Sequence, residues 1–160
     1  MTVSPLSIPS RPGTYVLILS AVARQSIDVG RLGRLAVHPG RYVYVGSAFG
    51  PGGLRARIGR HLRASGSRHW HIDHLKAVTE PVEVWLSQAT ARLEHEWARL
   101  LGGLPGSSVP LARFGASDCT CESHLFFFQA GPVFDVFRSR VRQANARRVP
   151  LSGSSQRQTP

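Results

Sequence analysis

Two stretches, Gly13-Thr14-Tyr15-Val16-Leu17-Ile18-Leu19 and Arg41-Tyr42-Val43-Tyr44-Val45-Gly46, decide how this chain is read. In the first, five β-prone apolar residues run from Tyr15 to Leu19, bounded by Pro12-Gly13 before and small residues after. A short apolar run without polar alternation reads as a strand buried on both faces. The second stretch follows the turn signal Pro39-Gly40 and reads as another core strand. Each carries a tyrosine, Tyr15 and Tyr44, standing 29 positions apart (44 − 15). Tyr42 lies two residues before Tyr44, on the same face of the strand, and competes for its role.

Working outward, residues 26–38 hold two glycines and spaced apolar positions, Ile27, Val29, Leu32, Leu35 and Val37, which suggests an inserted hairpin. Gly50-Pro51-Gly52-Gly53 breaks the second strand and opens a helix. Leu54, Ile58 and Leu62 form its apolar stripe, and Arg55, Arg57, Arg60, His61 and Arg63 occupy the other faces. Residues 69–78 read as a second short helix burying Trp70, Ile72 and Leu75. Residues 82–86 alternate at period two as a third strand. Residues 91–101 read as a helix with Leu93, Trp97, Leu100 and Leu101 apolar, Thr90 as its cap and Gly102-Gly103 as its stop. A loop over 104–118, a short strand over 125–128 and a last helix over 133–142 complete the pass. Residues 1–10 read as an arm, 11–143 as the single domain, and 144–160 as a disordered basic tail poor in apolar residues. The expected class is α+β: a small central antiparallel sheet of about three core strands flanked by helices, with an inserted hairpin and an extra C-terminal strand and helix.

The 160 residues suffice for one domain with a real core, and the 42% hydrophobic content is ordinary. The charge is not: 20 basic residues against 9 acidic give a formal net charge of +11. Lys76 is the one lysine; the rest are arginines, whose planar fork suits bidentate phosphate contacts. Such a field favours polyanions in a salt-sensitive way and points to nucleic acid, DNA here, as partner. A GC-rich coding sequence would enrich arginine whatever the function. With no apolar leader and no run of about 18 apolar residues, the expectation is a cytoplasmic protein with reduced thiols and no membrane partner.

The chemistry-bearing residues are few. Arg57 and His61 stand at i and i+4, so one helical face can carry both into a cleft. Glu94 follows on a later helix. Phosphodiester hydrolysis asks for proton removal from water, positive charge around the phosphorane, and help for the leaving oxygen. Two tyrosines, a histidine, an arginine and a carboxylate holding a divalent ion suffice for that. Magnesium takes one or two carboxylates and keeps most of its waters, so a lone glutamate fits.

Gly13-Thr14-Tyr15, Tyr44-Val45-Gly46, Leu54-Arg55-Ala56-Arg57 and Leu93-Glu94 stand in the order of the GIY-YIG nuclease superfamily, which the chain resembles. It looks closest to the branch called domain of unknown function 123. That match rests on residues 42–48, 52–57, 69–73 and 115–119 within the stretch 11–128. The resemblance implies a metal-dependent DNA endonuclease, in repair given that relatives are fused to endonuclease III-type glycosylases. A glycosylase partner follows by the same analogy. Tyr15 and Tyr44 would position or deprotonate the attacking water, Arg57 would bind the scissile phosphate, Glu94 would hold magnesium or manganese, and His61 would lie near the water. Threonine and valine stand where the family motifs carry isoleucine, and the family's late asparagine has no counterpart.

Blander readings stand beside these. Tyr15 and Tyr44 could be sheet-packing aromatics and Arg57 a solvated cation. Arg55, Arg60, Arg63, Arg68 and His71 are the candidate DNA contacts. His69, His71 and His74 cluster with Asp73, whose bland role is to pair a neighbouring histidine at a helix start. Cys119, Cys121 and His124 form a second candidate metal group, which an earlier histidine could complete for zinc, though the spacing is not a standard zinc spacing. Two inert cysteines are the alternative. Asp118 beside them is a further cleft candidate, and His95 reads as a surface residue. A non-catalytic module gripping branched or damaged DNA is the rival function, and an interaction domain the third. The oligomeric state is open.

Overall fold

A computed structural model describes residues 8–63, 68–117, 119–132, 134–141 and 146–151. The sheet is five-stranded and antiparallel, in the order β6-β4-β1-β5-β7. Its strands are β1 (Gly13–Ala21), β4 (Gly40–Ala48), β5 (Glu80–Ser87), β6 (Leu125–Phe128) and β7 (Arg147–Pro150). A separate hairpin, β2 (Gln25–Asp28) and β3 (Arg34–Val37), sits between β1 and β4, where the glycine spacing put it. The helices are α1 (Gly53–Leu62), α2 (His71–Lys76), α3 (Glu94–Gly102) and α4 (Phe134–Arg140).

Strand β1 is central, which is why its apolar run needs no alternation. Tyr15, Leu17 and Leu19 pack on one face, with Leu54 and Ile58 of α1, Ile72 and Leu75 of α2, and the hairpin's Leu35 and Val37. Val16 and Ile18 pack on the other, with Trp97 and Leu101 of α3 and Phe137 of α4. The result is an α/β/α sandwich. Each fully buried leucine or isoleucine contributes roughly 1.5–3 kcal/mol. The register of β1 against β5 shifts between Ile18 and Leu19, where Leu19 faces Pro81, a residue with no N–H to give the ladder.

Three expectations are corrected. The α+β class holds, with β4, β1 and β5 as the core strands and β6 as the expected extra strand, but β7 adds a fifth strand that was not expected. Residues 146–151 do not belong to a disordered tail: β7 pairs with β5, Val149 and Leu151 are buried in the core, and Arg148 pairs with Glu83. Two alternate apolar residues amid arginines suffice for an edge strand, so composition misled. Residues 152–160 lie outside the described residues. Helix α3 starts at Glu94, not 91, and Thr90 does not cap it. The chain before it is held instead by β1, since the Leu93 N–H donates to the buried Thr14 hydroxyl at 3.4 Å.

The arm has a role over its described part. The carbonyls of Pro9 and Arg11 accept from the N–H groups of Arg55 and Leu54, supplying partners that the first turn of α1 lacks. Ile8 is buried, and its carbonyl accepts from Arg55 Nε at 2.8 Å.

Candidate active site

The two motif glycines are explained by contact. Gly46 is the cross-strand partner of Tyr15, and a Cβ there would lie 2.4 Å from the Tyr15 hydroxyl oxygen. A Cβ on Gly13 would lie 2.1 Å from the Ser87 carbonyl oxygen. Gly46 therefore gives the Tyr15 ring room to cross β4 toward α1. There the Tyr15 hydroxyl meets His61 Nε2 at 2.6 Å. Both residues are 1% exposed. Burial, then the neighbouring Tyr44, pushes the Tyr15 hydroxyl well above its ordinary range. Burial, then the charges of Lys76, Arg60 and Arg57, pulls His61 down to about 3. Near neutral pH the pair is therefore a phenol bonded to a neutral imidazole.

Tyr44, half-buried, stands edge-on to His61 with ring centroids 6.0 Å apart. Its hydroxyl is also pushed up, by burial first and then by Glu94, against the opposing pull of Arg57. The charges of Glu94 and Arg57 thus both bear on the Tyr44 hydroxyl, although they come from opposite faces of the sheet. Gly115, at φ +68°, backs this ring: a Cβ there would lie 2.9 Å from Tyr44 Cε1. Tyr42 does not share the site. Its hydroxyl accepts from the His38 N–H at 3.0 Å and its ring packs on Phe127.

Arg57 is half-buried and makes no hydrogen bond or ion pair among the described residues. Its guanidinium lies 4.6 Å from the centre of the Trp70 ring, a cation–π distance that orients it without consuming its donors. Glu94, the first residue of α3, keeps its side chain 24% exposed. Burial pushes its carboxyl up, but His124, the Ser47 hydroxyl and His95 together hold it below the usual range. It is therefore ionised at neutral pH. An ionised, partly open carboxylate oxygen suits a hard cation that keeps most of its waters.

The remaining candidates separate. Arg60 is not free for DNA: both its terminal nitrogens bond the Asp73 carboxylate, at 3.1 and 3.0 Å, and its guanidinium stacks 3.7 Å from Trp70. Asp73 also accepts from the N–H groups of His69 and Trp70, so it pairs an arginine and caps α2 rather than pairing a histidine. His71 is likewise committed, its Nδ1 accepting from the Gly115 N–H at 2.9 Å and tying α2 to the loop behind Tyr44. Arg55 is exposed but spends Nε on the arm. Arg63 and Arg68 are exposed and remain available as phosphate contacts. Asp118 lies outside the described residues. The contributions of Trp70, Ser47 and the Arg60–Asp73 pair were missed, since none carries a local sequence signal.

A second constellation adjoins Glu94. His95, Cys119, Cys121 and His124 each offer a ligand atom, all within 4.8 Å of one another. His95 is exposed, as read, yet its ring stands 5.7 Å from that of His124. His124 Nδ1 lies 3.0 Å from Glu94 Oε1, but off the line of a full hydrogen bond. Burial, then the adjacent Cys119, pushes the Cys121 thiol up, which makes it a poor nucleophile.

Among the described residues, no helix is long and apolar enough to cross a membrane. Searches of curated proteins and of solved structures find no match to the chain. The family model described as "Domain of unknown function DUF123" matches residues 14–146, a span that reaches from the Tyr15 strand to the edge of β7 and takes in every residue of both constellations. The chain belongs to the DUF123 family.

Proposed function

We propose that this chain is a metal-dependent DNA endonuclease of the GIY-YIG type. What supports the reading is a set of groups: the Tyr15–His61 hydrogen bond, Tyr44 edge-on to His61, an Arg57 with no hydrogen bond or ion pair among the described residues, and an ionised Glu94 whose charge bears on the Tyr44 hydroxyl. The roles differ from those the resemblance implies. Both tyrosines stay protonated near neutral pH, so Tyr44 orients the attacking water by hydrogen bonding, and Tyr15 is a positioning residue that acts through His61. His61 stays neutral and sealed, its Nε2 on the Tyr15 hydroxyl, so it braces the tyrosine pair rather than taking the proton from water. Arg57 binds the scissile phosphate through a fork with no competing hydrogen-bond or ion-pair partner among the described residues. Glu94 would hold the magnesium or manganese ion, which supplies positive charge to the phosphorane and the leaving oxygen. Arg63 and Arg68 contribute the sequence-independent grip on the backbone. A role in DNA repair, alongside a glycosylase, follows the resemblance.

Nicked, abasic, branched and single-stranded DNA mixed with the purified chain and magnesium or manganese tests this. Cleavage that needs the metal and is lost in Glu94→Ala and Arg57→Ala supports the reading; a wild type that cuts nothing across the panel contradicts it. The burial of Tyr15 and His61 favours one rival, a module that grips branched or damaged DNA without cutting. It is chosen by salt-dependent binding that survives chelator and Glu94→Ala with no cleavage.

A further inference from the structure

We infer that His95, Cys119, Cys121 and His124 form a closed four-ligand zinc site that staples the first turn of α3 to the loop over residues 113–124. The inference stands apart from the nuclease reading, because it concerns metal retention rather than DNA.

The donor set decides the metal. Two thiolates and two imidazoles are the soft and borderline ligands that zinc takes in tetrahedral structural sites, and they are poor ligands for magnesium. Tetrahedral zinc with bonds of about 2.0–2.3 Å places its ligand atoms about 3.3–3.8 Å apart. Cys119 Sγ and His124 Nε2 already stand 3.4 Å apart. The set as a whole lies within 4.8 Å, and closing it asks for a shift of about 1 Å, which the exposed His95 ring can supply by rotation. All four positions are filled by protein, which is the mark of a structural rather than a catalytic zinc.

The loop is built to hold the cysteines. The Arg113 guanidinium donates to the Cys119 and Cys121 carbonyls at 2.6 and 2.7 Å. Arg113 itself sits at φ 67°, a strained conformation for a residue other than glycine, kept by its N–H bond to the Glu122 carbonyl at 2.7 Å. The His124 N–H bonds the Phe114 carbonyl at 2.8 Å. These bonds fix three of the four ligands before any metal arrives.

The remaining nitrogen of His124 gives the site its second consequence. With Nε2 on zinc, Nδ1 carries the proton, and the acceptor beside it at 3.0 Å is Glu94 Oε1. A carboxylate orienting a metal-bound histidine is the usual arrangement around zinc. Here that carboxylate belongs to Glu94, so zinc would fix the position of Glu94 through His124.

The test is metal content of the whole chain, expressed and purified without chelator under reducing conditions. One zinc per chain is expected by elemental analysis. The apo protein titrated with cobalt should give the visible bands of a tetrahedral site and a thiolate charge-transfer band. His95→Ala, a change on an exposed ring that leaves the circular dichroism spectrum unchanged, should weaken cobalt binding at least tenfold and alter the bands. Cys119→Ser should lose the charge-transfer intensity of one thiolate. Glu94→Gln should weaken zinc about 10–100-fold, the usual effect of losing an outer partner. Zinc-free protein that gives no tetrahedral cobalt spectrum overturns the inference, and so does His95→Ala with unchanged cobalt affinity and bands.

Discussion

The Tyr15 hydroxyl and His61 Nε2 are 2.6 Å apart, 46 residues apart in sequence and closed to solvent on all sides. This bond joins the central strand to α1, while burial and the charges of Lys76, Arg60 and Arg57 hold His61 neutral. Removing the hydroxyl leaves a buried imidazole nitrogen without a partner. Tyr15→Phe should therefore cost about 1–3 kcal/mol, read as a lower urea midpoint with an unchanged m-value. An unshifted midpoint would mean the bond contributes nothing to stability.

His61 also gives the fold an acid sensitivity that starts early. Its folded value, about 3, lies below its ordinary 6.5, so on acidification the unfolded chain takes up a proton that the folded one refuses. The contribution is complete above pH 6.5 and is lost as pH falls toward 3, with a slope of up to ~1.4 kcal/mol per pH unit. Urea midpoints should fall from about pH 6 downward, and His61→Asn should flatten the curve between pH 6 and 5. Glu94 and Asp73, both held below the ordinary carboxylate range, add their losses only below about pH 4.5.

Asp73 is 6% exposed and takes both nitrogens of Arg60 as well as two backbone N–H groups. Asp73→Ala removes one side of a buried pair and the cap of α2, and should cost about 3–5 kcal/mol in denaturant melts. The freed Arg60 should raise DNA affinity at low salt, a gain absent from Asp73→Ala/Arg60→Ala.

Arg63 and Arg68 are exposed, and each should neutralise one phosphate. Replacing either by alanine should lower the slope of log K against log salt by about 1 without changing substrate preference. Arg55→Ala, whose guanidinium serves the arm, should act on stability first.

Much of this fold was legible because its core strands carry their burial in plain sight. The apolar run over β1 reads as a buried strand and is the central one, whereas the close approaches at Gly13 and Gly46 emerge only from the contacts. Thr14 stands where the resembled nuclease motif carries isoleucine, and its hydroxyl accepts the N–H of Leu93, the residue before Glu94. What stayed hidden was long-range. The burial of Tyr15 depends on His61, the commitment of Arg60 on Asp73, and that of His71 on Gly115, none of which has a local signature. Strand β7 escaped notice because an edge strand needs only Val149 and Leu151, and arginines and prolines around them read as tail. His95 escaped because the cysteines it approaches lie more than twenty positions away.

The most direct test of the account is the single-turnover cleavage rate of a branched DNA as magnesium is raised, wild type against Glu94→Gln, both zinc-loaded. The account predicts a saturable magnesium dependence for the wild type. It predicts a rate about 100-fold or more lower for Glu94→Gln, the scale of losing one charge-stabilising group in a transition state. Cleavage by Glu94→Gln at the wild-type rate, with the same magnesium dependence, would contradict it.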